Sequence, residues 1–264
     1  MSRQVTADRP MQALRAHRRG GPEELVYEQA PRPPLGIGDA LVEVHTASFT
    51  PTELDWPSTW TDRLGRERNP VIPGHEVSGV VAALGFGTTG VTVGQEVYGL
   101  TDWYRDGAAA DYVAVEARNL APKPTTLDHV QAAALPLAGL TAWQALFDHG
   151  RLQAGQWVLI HGTAGGVGSL AVQLAHGAGA QVIGSGRAPD HELLAKLGAE
   201  KVVDVERQRF EEVAGRVDAG ELQPVVGRVW PLAEGRQAFQ AKQHGGLPGK
   251  VVLQVADNDE ELSR

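Results

Sequence analysis

Cysteine does not occur anywhere in the 264 residues of this chain. Its absence excludes disulfide bonds, thiolate nucleophiles and zinc sites that use cysteine ligands. Any redox chemistry carried out by this protein must therefore come from a bound cofactor.

The chain also has no excess of basic residues. It contains 24 Lys and Arg residues and 32 Asp and Glu residues, which gives a formal net charge of −8. Nucleic acids and anionic membranes attract basic faces, so we expect neither as a partner. No apolar run approaches the ~20 residues of a membrane span, and the start MSRQVTADRP has no signal-peptide core. We expect a cytoplasmic protein that acts on a small-molecule substrate.

The hydrophobic content of 42% is sufficient for a buried core in one or two domains. From Met11 to about Ala121, short apolar segments separated by Gly and Pro predict a compact, mostly antiparallel β domain. After about Leu127, strand-like and helix-like segments alternate, which predicts a βαβαβ unit with a parallel sheet. These segments are WVLIHG, GGVGSLAVQLAHGAG, QVIGSG, HELLAKLGA and KVVDV.

A glycine-rich turn follows the first of these predicted strands, Trp157 to His161. After Gly162, its residues are Thr163, Ala164, Gly165, Gly166, Val167 and Gly168. Such a turn lets backbone N–H groups approach a pyrophosphate at the positive end of a helix. The strand–turn–helix context favours dinucleotide binding over the alternative, a tight turn without a ligand.

The second predicted strand ends in Gly184-Ser185-Gly186-Arg187, where NAD-binding folds usually place a carboxylate for the ribose 2′-OH. No carboxylate is present here to repel a 2′-phosphate. Ser185 can donate a hydrogen bond, and Arg187 can pair bidentately with phosphate. The pattern favours NADPH over NADH, with a solvated loop arginine as the alternative.

Several stretches of the chain match one family in register: GGPEELVYEQAPRPPLGIGDALVEVHTASFTPTELDW, NPVIPGHEVSGVV, ALPLAGLTAWQALFDHG, VLIHGTAGGVGSLAVQLA and GKVVLQV. Together they resemble the zinc-independent, quinone-oxidoreductase-like group of medium-chain dehydrogenase/reductases. The resemblance implies an α/β fold with a GroES-like β-rich catalytic domain, residues 11–126 and 224–264, and a Rossmann-type domain, residues 127–223. It also implies NADPH-dependent reduction of a quinone, an enone or another activated carbonyl.

The resemblance places the three metal-ligand positions of zinc-containing relatives at Thr50, His75 and Leu137. One imidazole, even beside Glu76, cannot form the three-ligand protein site of catalytic zinc, so we expect no zinc. His75 is then either a cleft residue that bonds the substrate or a structural histidine. Thr50 and Thr52 either orient a carbonyl or cap a helix.

The resemblance also implies that Thr141 packs against the nicotinamide and that Lys250 reaches the pyrophosphate. The alternative for Lys250 is a surface lysine at the start of a strand. Tyr104 belongs to a set of aromatic side chains that form either a pocket wall or part of the core. The other members are Trp56, Trp60 and Trp103.

One large departure from the family follows the third predicted strand, at Asp204 or Val205. The chain proceeds directly to the segment that returns to the catalytic domain, so the second half of the Rossmann domain is missing and the domain is truncated. The strand Trp157 to His161 then lies at a sheet edge. The segment 206–223, the catalytic domain or a partner subunit in a homo-oligomer must cover this edge.

The missing half normally contributes the wall against the nicotinamide, so two functions stay open. The first is the zinc-free reductase described above. The second is a reductase-derived protein that has lost hydride transfer and acts as a non-redox enzyme, such as a cyclase or isomerase, or as a nucleotide-binding scaffold.

Overall fold

The computed structural model describes residues 10–204, 215–243 and 250–254. The chain divides into two compact units, Met1–Val205 and Glu206–Arg264. Within the described ranges, no helix has both the length and the apolar composition needed to cross a bilayer.

Antiparallel β structure makes up the first part of the larger unit, as the apolar segments between Gly and Pro residues predict. Strand β1 (Met11–Ala16) pairs with β2 (Leu25–Ala30). A five-stranded antiparallel sheet has the order β6-β3-β4-β5-β7. Its strands are β3 (Asp39–Ser48), β4 (Glu76–Leu84), β5 (Glu96–Leu100), β6 (Tyr112–Glu116) and β7 (Leu120–Pro122).

The core of this sheet is rich in valine, a β-branched residue that packs well on a pleated surface. Alternate positions along each strand point to the same face, so valines from several strands meet in one cluster. The fully buried members include Val42, Val77, Val97, Val113 and Val115.

Short helices connect the antiparallel sheet to the second half of the unit. A single helical turn, α1 (Pro57–Trp60), follows β3. Helix α2 (His129–Ala133) begins with a capping box, in which the Asp128 side chain accepts the Gln131 N–H at 2.7 Å. Helix α3 (Pro136–Trp143) has proline at its first position and continues into a π-helical turn, Gln144–His149.

The predicted parallel sheet is confirmed. Its strands are β8 (Trp157–Ile160), β9 (Gln181–Gly186) and β10 (Lys201–Asp204), in the order β10-β9-β8. They are connected by α4 (Gly166–Gly177) and α5 (His191–Lys196). Apolar side chains of the helices and strands pack into one core, which includes Ala171, Val172, Ala175, Val182 and Leu194.

Strand β8 pairs with β9 alone among the described strands, so it forms one edge of the parallel sheet. This is the edge that the departure from the family predicts. Of the segment 206–223, one of the predicted covers for this edge, residues 206–214 lie outside the described part of the chain.

The smaller unit contains two parallel strands, β11 (Val226–Pro231) and β12 (Lys250–Gln254), together with α6 (Gly235–Gln243). Trp230 and Ala238 are its buried apolar residues in the described ranges. The division into one domain of residues 11–126 and 224–264 and another of residues 127–223 stays a prediction.

Candidate functional site

His75 lies just before β4 and is 2% exposed. Its Nδ1 lies 2.6 Å from the Thr101 hydroxyl, and its ring packs against Trp103 with 4.6 Å between ring centroids. Burial lowers the pKa of His75 to about 4, and the positive charge of Arg68 acts in the same direction against the opposing charge of Asp102. His75 is therefore neutral near pH 7.

Glu53 is a buried carboxylate that the sequence analysis missed. Its Oε1 accepts the Gly74 N–H at 2.5 Å and lies 3.4 Å from His75 Nε2. Its Oε2 accepts the Thr50 N–H at 3.3 Å. Burial raises the pKa of Glu53, although the two N–H groups oppose the shift. Its position three residues after a threonine is the spacing of a helix-capping carboxylate, a signal that could have identified it.

The two candidate threonines occupy different environments. Thr50 is half-buried and is connected to His75 through Glu53. Thr52 is exposed at the start of the short 3₁₀ turn Glu53–Asp55 and makes no side-chain capping bond to it. Only Thr50 is thus tied to the surroundings of His75 by contacts that the structure describes.

The aromatic side chains lie in different environments. Trp56 meets Trp103 edge to face with 5.2 Å between ring centroids, so these two rings and His75 form a continuous cluster. Trp60 is buried in a separate apolar cluster, and its indole N–H donates to the Leu54 carbonyl. Tyr104 is 37% exposed, with the Arg63 guanidinium 5.4 Å from its ring centroid.

A carboxylate connects the start of β4 to the start of α3. Glu76 Oε1 accepts the backbone N–H of Leu137 at 2.9 Å. One helical turn later, the exposed Thr141 donates its hydroxyl proton to the Leu137 carbonyl at 2.7 Å. Leu137 stands at the third metal-ligand position of the zinc-containing relatives. The hydrogen bond holds it beside Glu76, the residue that follows His75.

The donor set around His75 does not fit the zinc site of the metal-containing relatives. Thr50 and Leu137 provide a hydroxyl and an aliphatic side chain where a three-ligand site needs strong ligands. Over residues 10–204, 215–243 and 250–254, no group of three or more His, Cys, Asp or Glu side chains is arranged to hold a metal ion.

The glycine-rich turn lies where β8 meets α4. Gly165 caps the helix without a side-chain bond, and Gly166 begins it with open space where a Cβ would lie. The first backbone N–H groups of α4 therefore face solvent at the positive end of the helix. A Cβ on Gly168 would lie within 3.0 Å of the Gly162 carbonyl and the Thr163 backbone, so only glycine fits there.

Two polar side chains near this turn point inward. Thr163 is fully buried, and its hydroxyl donates to the Ser185 carbonyl at 2.8 Å. Ser185 Oγ accepts the Gly162 N–H at 3.3 Å and lies 3.1 Å from His161 Nδ1. These contacts shape the turn, whereas Ala164, Gly165, Gly166 and Val167 are exposed around it.

Arg187 follows β9 at the same carboxyl edge of the sheet as the glycine-rich turn. Its side chain is mostly exposed, with Nε 3.5 Å from Asp190 Oδ2. Lys250 belongs to the smaller unit, where it is exposed at the first position of β12. The predicted contact between Lys250 and a pyrophosphate stays a prediction.

The fold and these two groups of residues define a dehydrogenase-like protein. Residues 36–125 match the family described as alcohol dehydrogenase GroES-like domain, and residues 108–253 match the family described as zinc-binding dehydrogenase. The chain belongs to the medium-chain dehydrogenase/reductase superfamily, an assignment that confirms the resemblance and the α/β fold class.

Two relatives and a solved structure illustrate this membership. The chain is 34% identical over 254 residues to 2-methylene-furan-3-one reductase of Solanum lycopersicum, covering 88% of this chain and 62% of the relative. It is 32% identical over 200 residues to quinone oxidoreductase of Rattus norvegicus, covering 75% and 60%. The quinone oxidoreductase structure from Coxiella burnetii superposes with a TM-score of 0.70 at 28% identity, covering 96% and 85%.

The chain thus spans less than two thirds of the length of these curated relatives. The names of both relatives describe oxidoreductases.

Proposed function

We propose that this protein uses NADPH to reduce a quinone, an enone or another activated carbonyl by hydride transfer without zinc. The observation that carries the proposal is the open helix start at Gly165 and Gly166, with Arg187 at the same sheet edge. Free N–H groups are donors suited to a pyrophosphate, and a guanidinium is a donor suited to a 2′-phosphate.

The residues around the glycine-rich turn fit a dinucleotide. The main-chain N–H groups of Ala164, Gly166 and Val167 would hold the pyrophosphate, whereas the Gly165 N–H already donates to the Gly162 carbonyl at 3.0 Å. Arg187 would pair with the 2′-phosphate, for which it must leave its long contact with Asp190. The Ser185 hydroxyl already has two partners, His161 and Gly162, so Arg187 carries most of the selectivity for NADPH. When bound, NADPH supplies the hydride equivalent.

The candidate catalytic residues would orient the substrate oxygen. Thr50 and Thr52 can donate hydroxyl hydrogen bonds to a carbonyl, and Thr141 would face the nicotinamide end of the cofactor. Neutral His75 contacts Thr101 on one side and Glu53 on the other, so we assign it to positioning the loop that carries Thr50. Tyr104 remains a candidate for lining the substrate path.

The relatives support the proposed substrate class. One is named for the reduction of a methylene-furanone and another for the reduction of quinones. Both names describe conjugated carbonyl compounds, in which polarisation of the oxygen activates the molecule toward hydride. The cytoplasmic location expected from the sequence is part of this proposal.

The short parallel sheet favours a second candidate. Only β8, β9 and β10 form the sheet in the described ranges, so the wall against the nicotinamide is not among the elements described. In this alternative the protein still binds the nucleotide but transfers no hydride, and it serves as a scaffold or performs a non-redox reaction such as isomerisation.

Calorimetric titration with NADPH and NADH, followed by NADPH oxidation assays, tests the proposal. Selective NADPH binding together with oxidation in the presence of quinones or enones supports the reductase. Selective binding without oxidation across diverse acceptors supports the second candidate. Absence of binding for both nucleotides contradicts the cofactor site itself.

A further inference from the structure

A short proline-rich segment after β2 fixes the position of one arginine. Its sequence is Pro31-Arg32-Pro33-Pro34. Proline locks its own φ angle and restricts the residue before it to extended conformations, so the backbone at Arg32 has little freedom. The Arg32 guanidinium lies over the ring of Tyr112, the first residue of β6, with Cζ 4.0 Å from the ring centroid. The backbone and the aromatic ring thus both restrain this cation.

Arg32 lines a pocket of about 310 Å³ within the larger unit. Apolar and aromatic side chains form much of its wall, among them Ile72, Tyr104 and Tyr112. This volume lies at the lower end of the range for small-molecule sites, which are mostly apolar with a few polar groups. Neither His75 nor any residue of the glycine-rich turn lines the pocket, so an occupant here does not rest on the proposed function.

Four other charged side chains line the pocket, and each forms an ion pair of 2.7 Å. The pairs are Arg68–Asp106, Arg105–Asp39 and Arg66–Asp62. Arg32 forms no ion pair with any described residue, and its Nε is buried without a hydrogen-bond acceptor among them. The lining therefore carries one positive charge that no described carboxylate balances.

Burial of an unpaired arginine N–H costs free energy, because the water it loses is not replaced by another acceptor. An anion that accepts from the guanidinium edge removes this cost. Contact of the guanidinium with a ring face leaves the N–H donors at its edge available to such an acceptor.

We propose that this pocket binds a small aromatic monocarboxylate, whose two oxygens pair with the Arg32 guanidinium. One carboxylate balances one unpaired guanidinium and matches its planar fork of donors. A phosphate monoester carries nearly two negative charges at neutral pH and would leave a surplus in the pocket. An aromatic ring is the body that packs best against the tyrosine side chains of the wall.

Calorimetric titration with benzoate, in the absence of nucleotide, tests the proposal. We expect Arg32→Gln to weaken benzoate binding at least about tenfold, because it removes a charge-assisted bidentate contact. Arg228→Gln is the matched control, since the Arg228 guanidinium also lies 4.0 Å from an aromatic ring centroid, that of Trp230 in the smaller unit. Its benzoate affinity should equal that of the wild type.

Two further ligands test the chemistry of the site. Benzamide has nearly the shape of benzoate but no charge, and it should bind at least about tenfold more weakly. Phenyl phosphate carries the additional charge and should bind no more tightly than benzoate.

Isoleucine methyl spectroscopy locates the ligand in the wild-type protein and does not depend on the folding of a variant. The chain has four isoleucines, Ile37, Ile72, Ile160 and Ile183. The ring current of bound benzoate should shift the methyl resonances of Ile72, which lines the pocket. The resonances of Ile160 and Ile183 in the parallel sheet should not move.

Four results would overturn the inference. They are a wild-type protein that does not bind benzoate throughout the millimolar range, equal affinities of the wild type and Arg32→Gln, equal affinities for benzoate and benzamide, and unshifted Ile72 resonances at saturation. Tighter binding of phenyl phosphate than of benzoate would contradict the assignment to a monocarboxylate.

Discussion

Glu76 and Leu137 form a hydrogen bond that joins the antiparallel sheet to α3, the helix that precedes the parallel sheet. The carboxylate of Glu76 is almost completely buried, and it accepts the Leu137 N–H at 2.9 Å. Its negative charge also lies at the positive end of α3, where the helix dipole favours it. Loss of this bond leaves a backbone donor unsatisfied close to the candidate site.

We expect Glu76→Ala to lower the free energy of unfolding by about 2 kcal/mol, the usual cost of an unsatisfied buried hydrogen-bonding group. Glu76→Gln retains an acceptor oxygen and should lose less than half as much. Urea unfolding of both variants measures the difference. Equal stability of Glu76→Ala and the wild type would show that the hydrogen bond is energetically unimportant.

Two glycines of the glycine-rich turn should respond differently to substitution. Gly168→Ala should destabilise the protein by about 1–3 kcal/mol, because its Cβ would collide with the backbone at Gly162 and Thr163. Gly166→Val has open space around the new Cβ and should change stability by less than about 0.5 kcal/mol.

The same Gly166→Val variant should weaken NADPH binding about tenfold, because its side chain occupies the surface that a pyrophosphate approaches. Thermal unfolding measures the effect on stability, and calorimetric titration measures the effect on NADPH affinity. Unchanged NADPH affinity in the stable Gly166→Val variant would contradict the assignment of this turn to the pyrophosphate.

Arg187→Glu replaces attraction for a 2′-phosphate with repulsion. We expect NADPH affinity to fall about a hundredfold, since charge-assisted contacts of this kind contribute roughly 1.5–3 kcal/mol before repulsion is added. NADH affinity should be retained or improved. Calorimetric titration with both nucleotides measures the switch.

Arg66→Glu makes the same charge change in a distant loop and serves as the control for Arg187→Glu. Its NADPH affinity should match that of the wild type. Equal effects at Arg66 and Arg187 would indicate a general electrostatic influence instead of a 2′-phosphate site.

The buried His75 should make the protein sensitive to mild acid. Its pKa falls from 6.5 to about 4 on folding, so the unfolded state binds the proton more readily. Stability is therefore lost as the pH falls from about 6.5 toward 4, by up to about 3 kcal/mol. The raised pKa of Glu53 acts with the opposite sign, because protonation in acid favours its folded form.

His75→Gln separates the contribution of His75 from that of Glu53, since glutamine can still bond Thr101 but does not titrate. We expect a smaller decrease in the free energy of unfolding between pH 7 and pH 4.5 for this variant than for the wild type. Urea unfolding at the two pH values provides the comparison. Parallel decreases would show that His75 does not cause the acid sensitivity.

The periodic and glycine-rich parts of the chain were predictable because their signals are local. The apolar strand at Trp157, the turn that ends at Gly168 and the helix that follows occur as predicted, and Arg187 lies at the end of β9. The inward contacts of Thr163 and Ser185 were not predictable, because they join residues about twenty positions apart. Glu53 had a local capping signal at Thr50, but its contact with Gly74 was not predictable because Gly74 lies on another segment.

By itself the sequence determined the family, the order of strands and helices, and the position of β8 at an edge of the parallel sheet among the described strands. These properties follow from hydrophobic periodicity, from turn residues and from motifs that lie within short stretches of chain. Only the tertiary structure decided that His75 is buried and neutral, that Glu53 joins Thr50 to it, and that Glu76 holds Leu137. Burial and hydrogen bonding between distant segments determine these properties, and neither exists until the strands have paired.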